Sequence, residues 1–153
     1  IPDLTMPMSL TAEINLHTPA LLTQDYCPDV HERLMLYKRL ANCENEDELR
    51  LLQEELIDRY GMLPSQSLAL LEIHRIRLAA RALGIKKVDA GPAAIQLQFV
   101  PNPPIDPAKI IQLIQKERTI KLAGQDKLSW QKSTATLQER VFALHQLFAK
   151  LTN

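Results

Sequence analysis

Residues 83–99 of this 153-residue chain read LGIKKVDAGPAAIQLQF, and this stretch decides the fold because the spacing of apolar residues changes within it. Before it, apolar residues recur at intervals of three and four, which is typical of helices. Within it, apolar residues alternate with glutamines from 95 to 99, which is typical of a half-buried strand. Residues 85–89 form a shorter β-like run, and residues 90–92 separate the two as a turn. The sequence therefore predicts helices before this stretch and a small sheet after it.

Three helices are predicted in the first half of the chain. They cover residues 28–43, residues 45–60 and residues from about 64 to 83. The first two begin at a capping residue, Asp29 or Asn45, that is followed three residues later by a glutamate. The apolar stripes expected to be buried are Val30, Leu34, Tyr37 and Ala41 in the first helix, and Leu49, Leu52, Leu56 and Tyr60 in the second.

The remaining predicted elements complete the sheet and close the fold. They are a strand over 12–16, a helix from Asp106 with Pro107 in its first turn, two short strands over 119–122 and 127–131, and a helix from Thr136 to Leu151. In the helix after Asp106, the residues expected to face inward are Ile110, Ile111, Leu113 and Ile114. The predicted class is α+β, with a helical N-terminal half, then a small, mainly antiparallel sheet with a crossing helix, and a closing C-terminal helix.

The length suits one domain of ordinary size. We predict that residues 1–11 are a loose lead-in or linker and that residues 12–153 form a single domain. The chain begins at Ile1, with neither an initiator methionine nor a basic and apolar leader. We therefore expect it to be part of a longer, multidomain protein without a signal peptide.

The composition argues against several classes of protein. Hydrophobic residues make up 46% and charged residues 24%, which is close to the average for globular domains. The net charge is zero, which argues against an overall electrostatic hold on nucleic acid or on an anionic membrane. The stretch without charged residues from Ala90 to Ile105 contains four prolines, so we expect no membrane span.

Motifs for catalysis, metal binding or phosphate binding are missing from the sequence. The four glycines are too far apart for a phosphate-binding loop. Cys27 and Cys43 are expected to be reduced thiols of a cytoplasmic protein, and Cys27 with His31 lacks the second ligand pair of a zinc site. We therefore expect no catalysis, cofactor, metal or small-molecule ligand, although an active site assembled from distant positions stays open.

Charge is unevenly distributed along the helices. Between residues 44 and 58 there are seven acidic side chains and one arginine, whereas residues 75–87 contain five basic side chains and no acidic one. These two segments are either solvated faces that meet each other or recognition surfaces. On the predicted second helix, Leu51 lies opposite the apolar stripe, between Glu55 and Asp58 and near Arg59. An apolar residue with a charged rim suits a protein contact, although single exposed leucines are common.

Two motifs in these helices resemble a known family. Residues 28–41 (PDVHERLMLYKRLA) resemble the P-D-V-x-x-R-L-x-x-Y-K-R-[IL]-A pattern in the C-terminal domain of bacterial transcription-repair coupling factors. Residues 55–64 (ELIDRYGMLP) are similar to its E-L-x-D-R-[FY]-G-x-x-P signature, and Leu83-Gly84-Ile85 followed by two lysines also matches. The last hairpin departs from the family, since Ala123-Gly124 stands where Asp-Gly is frequent.

The resemblance implies a function. The family's full-length protein is an ATP-driven translocase on double-stranded DNA that displaces stalled RNA polymerase and recruits the UvrA excision-repair protein. Its C-terminal domain is regulatory and masks the UvrA-binding module of the same polypeptide. That contact falls in the second motif, at Glu55, Asp58 and Arg59 here, on the face that carries Leu51. Our hypothesis is that Glu55 and Asp58 meet arginines of the UvrA-binding module, while Arg59 orients them or pairs with one of its acids.

Two other interpretations remain open. One is an accessory nucleic-acid-binding domain that uses the basic residues Arg75, Arg77, Arg81, Lys86 and Lys87. The other is a small stand-alone enzyme, which the missing motifs argue against. Among the three, the regulatory protein-interaction domain is our prediction.

Overall fold

The structure is a computed structural model that describes residues 12–152. Its elements, in chain order, are β1 (Glu13–Asn15), α1 (Val30–Asn42), α2 (Glu46–Tyr60), α3 (Ser65–Ala82), β2 (Ile85–Ala90), β3 (Ala94–Phe99), α4 (Pro107–Lys116), β4 (Ile120–Leu122), β5 (Lys127–Gln131) and α5 (Leu137–Leu151). The predicted α+β class is confirmed. The predicted lead-in over residues 1–11 lies outside the described residues.

The described chain divides into two compact units. A helical unit covers residues 18–78, and a sheet unit covers residues 79–152 together with residues 12–17. The prediction of a single domain over residues 12–153 stays a prediction. Within residues 12–152, no helix combines the length and the apolar character needed to cross a membrane.

Side-chain caps determine where four helices begin. The carboxylate of Asp29 accepts a hydrogen bond from the amide of His31 at 2.8 Å, and the side chain of Asn45 accepts one from Glu48 at 2.9 Å. Asp106 caps α4 in the same way, with proline as the next residue, and Thr136 caps α5. Each cap satisfies an amide that lacks a partner within the helix, so these predicted starts are confirmed.

The core of the helical unit forms where α1, α2 and α3 present leucines to one another. The stripe predicted for α2 is confirmed, since Leu49, Leu52 and Leu56 are buried. The stripe predicted for α1 is wrong, because Val30 and Leu34 have 54% and 58% of their surface exposed. The buried side chains of α1 are instead Leu36 and Leu40, and the face continues to Cys43. Both sets of apolar residues have helical spacing, but only the set that contains Leu36 and Leu40 packs in the core cluster with the leucines of α2.

The sheet has five strands among the described residues, in the order β1-β2-β3-β5-β4. β1 pairs with β2 in parallel, and the other three pairings are antiparallel, which agrees with the predicted mainly antiparallel sheet. In α4, Leu113 is buried as predicted, but the inward prediction for Ile111 is wrong, since its side chain is exposed. Ile111 points about 100° around the helix from the mean direction of Ile110, Leu113 and Ile114.

One buried arginine joins three segments of the sheet unit. Arg140 on α5 is 8% exposed and donates hydrogen bonds to the carbonyl of Leu16 at 3.0 Å and to the hydroxyl of Thr134 at 3.1 Å. The Thr134 hydroxyl in turn donates to the carbonyl of Gly91 at 2.9 Å. The end of β1, the turn after β2 and the start of α5 are therefore held together by polar contacts.

Candidate functional site

The four residues predicted to form an interface lie on α2. Leu51 is 58% exposed, Asp58 and Arg59 are also exposed, and Glu55 is half-buried. Leu51 and Glu55 share a face because they are four residues apart, and both line a shallow cleft of about 340 Å³ between α2 and the end of α1. The prediction that Leu51 points away from the core is therefore confirmed.

Glu55 is paired with α1. Arg39 donates to both of its carboxylate oxygens, at 2.6 and 2.7 Å. This hydrogen bonding lowers the pKa of Glu55 and keeps the carboxylate charged. Both side chains remain more than a third exposed, so we expect the pair to contribute little to the free energy of unfolding.

Arg59 also pairs with α1, through Glu32. Its guanidinium donates to the Glu32 carboxylate, which accepts a second hydrogen bond from the Tyr60 hydroxyl at 3.0 Å. The two bonds lower the pKa of Glu32, and Arg59 lies 5.0 Å from the centre of the Tyr60 ring. Arg59 is 3.8 Å from Glu55 as well. The α1–α2 charge row therefore runs in the order Glu32, Arg59, Glu55 and Arg39, with alternating signs.

Glu32 and Arg39 are partners in this site that were not predicted from the sequence. Arg39 ends the Y-K-R part of the first motif, and Glu55 begins the second motif. Their spacing in the chain carries no sign of contact, because the pairing depends on how α1 packs on α2. The sequence feature that could have indicated this pairing is the opposite charge of residues in the two motifs.

Asp58 differs from its neighbours in the charge row. Its side chain is exposed, and no ion pair to it is found among residues 12–152. Leu51 likewise presents its side chain to solvent beside the cleft. The features available to a second surface without any rearrangement are therefore an apolar side chain and a single carboxylate, about two helical turns apart.

The five basic residues of the alternative site have different surroundings. Arg75 is partly buried in the helical unit, where it forms ion pairs with Glu46 at 2.8 Å and with Glu72 at 2.9 Å. Arg77 donates to the ring of His74 at 3.3 Å and to the carbonyl of Leu40 at 3.4 Å. The pairing of Arg75 with Glu46 agrees with the interpretation in which acidic and basic faces meet.

The other three basic residues belong to the sheet unit. Arg81 is half-buried in the last turn of α3. Lys86 and Lys87 lie exposed on β2, and Lys87 is 4.0 Å from Glu13. The structure therefore divides the predicted basic patch between the two units.

No group of three or more His, Cys, Asp or Glu side chains that could hold a metal ion occurs within residues 12–152. Cys27 and Cys43 are free and buried, and burial raises the pKa of the Cys43 thiol.

Comparison with known proteins points to one family. A family model described as the TRCF domain matches residues 16–110. The transcription-repair-coupling factor of Escherichia coli K12 is 34% identical over 151 residues, which is 98% of this chain and 13% of that protein. The same-named protein of Haemophilus influenzae is 45% identical over 106 residues, which is 69% of this chain and 9% of that protein. The chain therefore spans about a tenth of the length of these relatives.

A solved structure shares the fold. The crystal structure of the C-terminal domain of a transcription-repair coupling factor aligns with a TM-score of 0.76 and 23% identity. The alignment covers 92% of this chain and 91% of that one. The α+β arrangement is thus the same over nearly the whole length of both chains.

Proposed function

The chain belongs to the transcription-repair coupling factor family, as its C-terminal domain, and from this premise we propose that it is a non-catalytic regulatory domain. It would act by covering the UvrA-binding module of the same polypeptide. The observation that carries the proposal is that Leu51 is exposed on the same face of α2 as Glu55 and Asp58, which belong to the motif associated with the interdomain contact in the family that the chain resembles.

The geometry of α2 fits a contact that must form and release. Leu51 supplies an apolar anchor, and Asp58 supplies a carboxylate with no ion pair among the described residues. Tethering within one polypeptide gives a high effective concentration, so a modest interface is enough to keep the partner covered. Exposed charged rims contribute little net affinity and are screened by salt, which makes release inexpensive.

The charge row modifies our hypothesis for Glu55 and Arg59. Both already have partners on α1, so a partner arginine would share Glu55 with Arg39 or displace it. Because both groups of the Arg39–Glu55 pair are more than a third exposed, we expect that exchange to cost about 1 kcal/mol or less. Asp58 is the acid that could meet an arginine without any exchange.

The proposal extends to the longer protein. We infer that it is an ATP-dependent translocase on double-stranded DNA that displaces stalled RNA polymerase and recruits UvrA in the cytoplasm. This chain would contribute regulation rather than the motor.

Titration calorimetry tests the regulatory contact. The 153-residue chain is titrated with the separately expressed UvrA-binding module at low and high salt, as wild type and as Leu51→Ala and Asp58→Lys variants. We expect salt-sensitive binding that each variant weakens by about fivefold or more. Asp25→Lys is the matched control, because Asp25 is exposed, lies outside α2 and undergoes the same charge reversal. Equal binding by all the variants would show that the contact lies on another face.

A nucleic-acid-binding role is the second candidate, and the observation in its favour is the exposure of Lys86 and Lys87 on β2. The pairing of Arg75 with two acids argues against it. A gel shift with duplex DNA at low salt separates the two functions. Retention of DNA that falls steeply with added salt and is lost in a Lys86→Ala/Lys87→Ala variant would favour this candidate.

A further inference from the structure

A groove of about 670 Å³ lies in the sheet unit. One wall is the proline-rich loop that follows β3, and the other is the turn between β4 and β5. The floor is apolar, because Phe99 and Ile105 line it and are buried. Leu122 forms part of the rim and has 56% of its surface exposed. This groove is large enough for several side chains of a partner.

The proline wall is held rigidly in place. Gly84 has φ +71°, and a Cβ added there would lie 2.7 Å from Cδ of Pro104 and 3.0 Å from Cβ of Pro103. The amide of Val100 donates to the carbonyl of Gly84 at 2.8 Å. The loop therefore packs directly against backbone, and its prolines have fixed φ angles. A preformed wall lowers the entropy lost when a partner binds.

Asp126 gives the groove its charge. It is the one ionisable residue among those that line the groove, and no ion pair to it is found within residues 12–152. Its backbone carbonyl accepts a hydrogen bond from the amide of Phe99 at 2.8 Å, which fixes its position at the groove. A carboxylate beside an apolar floor favours a partner in which a basic side chain neighbours an apolar one.

The groove also borders an open edge of the sheet. β4 is the last strand in the sheet order. The amide of Ala123 donates to the carbonyl of Lys127, and the amide of Gln131 donates to the carbonyl of Thr119, both at 2.9 Å. Because hydrogen-bonded and non-bonded pairs alternate along an antiparallel ladder, the amide and carbonyl of Leu122 point away from β5. Such an edge offers main-chain hydrogen bonds to an added strand.

We propose that this groove docks an extended peptide segment of a protein partner, with an apolar side chain on the floor beside Phe99 and a lysine or arginine at Asp126. The peptide main chain runs along β4 and pairs with Leu122. The groove residues all belong to the sheet unit, whereas α2 belongs to the helical unit, and the proposal does not depend on the proposed regulatory contact.

A displayed library of random 12-residue peptides tests this proposal. The library is selected against the immobilised 153-residue chain, and the enriched peptides are synthesised and titrated by fluorescence anisotropy. We expect enriched peptides that share a lysine or arginine next to an apolar residue. Leu122→Ser should raise their dissociation constant about tenfold. Asp126→Asn should raise it about fivefold or less, because Asp126 is only half-buried and its charge is screened by solvent.

Two matched variants separate the groove from general effects. Phe142→Ser removes an exposed apolar side chain of the same unit that does not line the groove, and Asp25→Asn removes an exposed carboxylate of the helical unit. Both should bind the peptides as the wild type does, and circular dichroism should show that all the variants are folded. The proposal is overturned if no peptide is enriched, if Leu122→Ser and Asp126→Asn bind unchanged, or if binding depends on Leu51 instead.

Discussion

Arg39 on α1 binds both carboxylate oxygens of Glu55 on α2, at 2.6 and 2.7 Å. The contact joins the two sequence motifs through which the chain resembles its family. Glu55 therefore already forms an ion pair within the helical unit when no partner is bound. The regulatory contact we propose would compete with an internal pair at this residue.

Replacing Arg39 tests that competition. In an Arg39→Ala variant Glu55 is released, and we expect the UvrA-binding module to bind more tightly, by up to about fivefold. Stability should change by about 1 kcal/mol or less, because the pair is more than a third exposed. Titration calorimetry and urea denaturation measure the two quantities. Weaker binding by the variant would mean that Arg39 belongs to the contact itself.

His74 on α3 predicts a specific pH dependence. Burial and the neighbouring Arg77 lower its pKa from 6.5 to about 4. Between these values the unfolded chain binds a proton at this residue and the folded chain does not, so stability falls as the pH drops through that window. We expect the His74 ring resonances in NMR spectra to remain those of the neutral form down to about pH 5.

The matched variant for this prediction is His74→Gln. It should lose the part of the pH dependence that lies between about pH 6.5 and pH 4 in urea denaturation. His31→Gln is the control, because His31 is exposed on the first turn of α1. The idea fails if the pH profiles of His74→Gln and wild type run parallel through this window.

Arg140 predicts a large effect from one substitution. Arg140→Met removes the hydrogen bonds that the buried guanidinium donates to the Leu16 carbonyl and the Thr134 hydroxyl, so we expect a loss of about 2–4 kcal/mol in the free energy of unfolding. Arg118→Met removes an exposed arginine of the same unit and should cost about 0.5 kcal/mol or less. Urea denaturation compares the two variants. Equal losses in the two variants would show that the hydrogen bonds of Arg140 add no more to the free energy of unfolding than an exposed arginine does.

Gly84 tests the rigidity of the proline loop. Gly84→Ala adds backbone strain at positive φ and a collision with Pro104, and we expect a loss of about 2 kcal/mol or more. Gly124→Ala at the tip of the β4–β5 turn adds strain alone, because a Cβ there meets nothing within 4 Å. The NMR shifts of residues 100–107 should move in the first variant and not in the second. Unmoved shifts in Gly84→Ala would contradict the close packing.

The features that the sequence predicted correctly are the local ones. Asp29, Asn45 and Thr136 cap helices because a side chain reaches an amide two or three residues away, which sequence spacing already contains. The exposure of Leu51 follows from helical geometry and a single dominant stripe on α2. The family assignment rests on motifs that are continuous in the chain and that the comparisons support.

The missed features depend on contacts between distant segments. α1 offers two apolar stripes, and only packing against α2 selects Leu36 and Leu40. Arginine is usually found at the protein surface, and the burial of Arg140 requires carbonyl groups elsewhere in the sheet unit to accept its hydrogen bonds. The groove could not be predicted from the sequence, because its two walls are separated in the chain and Asp126 belongs to no motif.

The parallel pairing of β1 with β2 sets a constraint on folding order. β1 lies at residues 13–15 and its partner lies at residues 85–90, so the sheet unit is discontinuous in the chain. During synthesis, β1 leaves the ribosome early and can pair only after the entire helical unit has followed. That helical unit can form its own leucine core in the meantime, which shortens the effective loop that β1 must close. A substitution that slows the helical unit should therefore also delay the completion of the sheet.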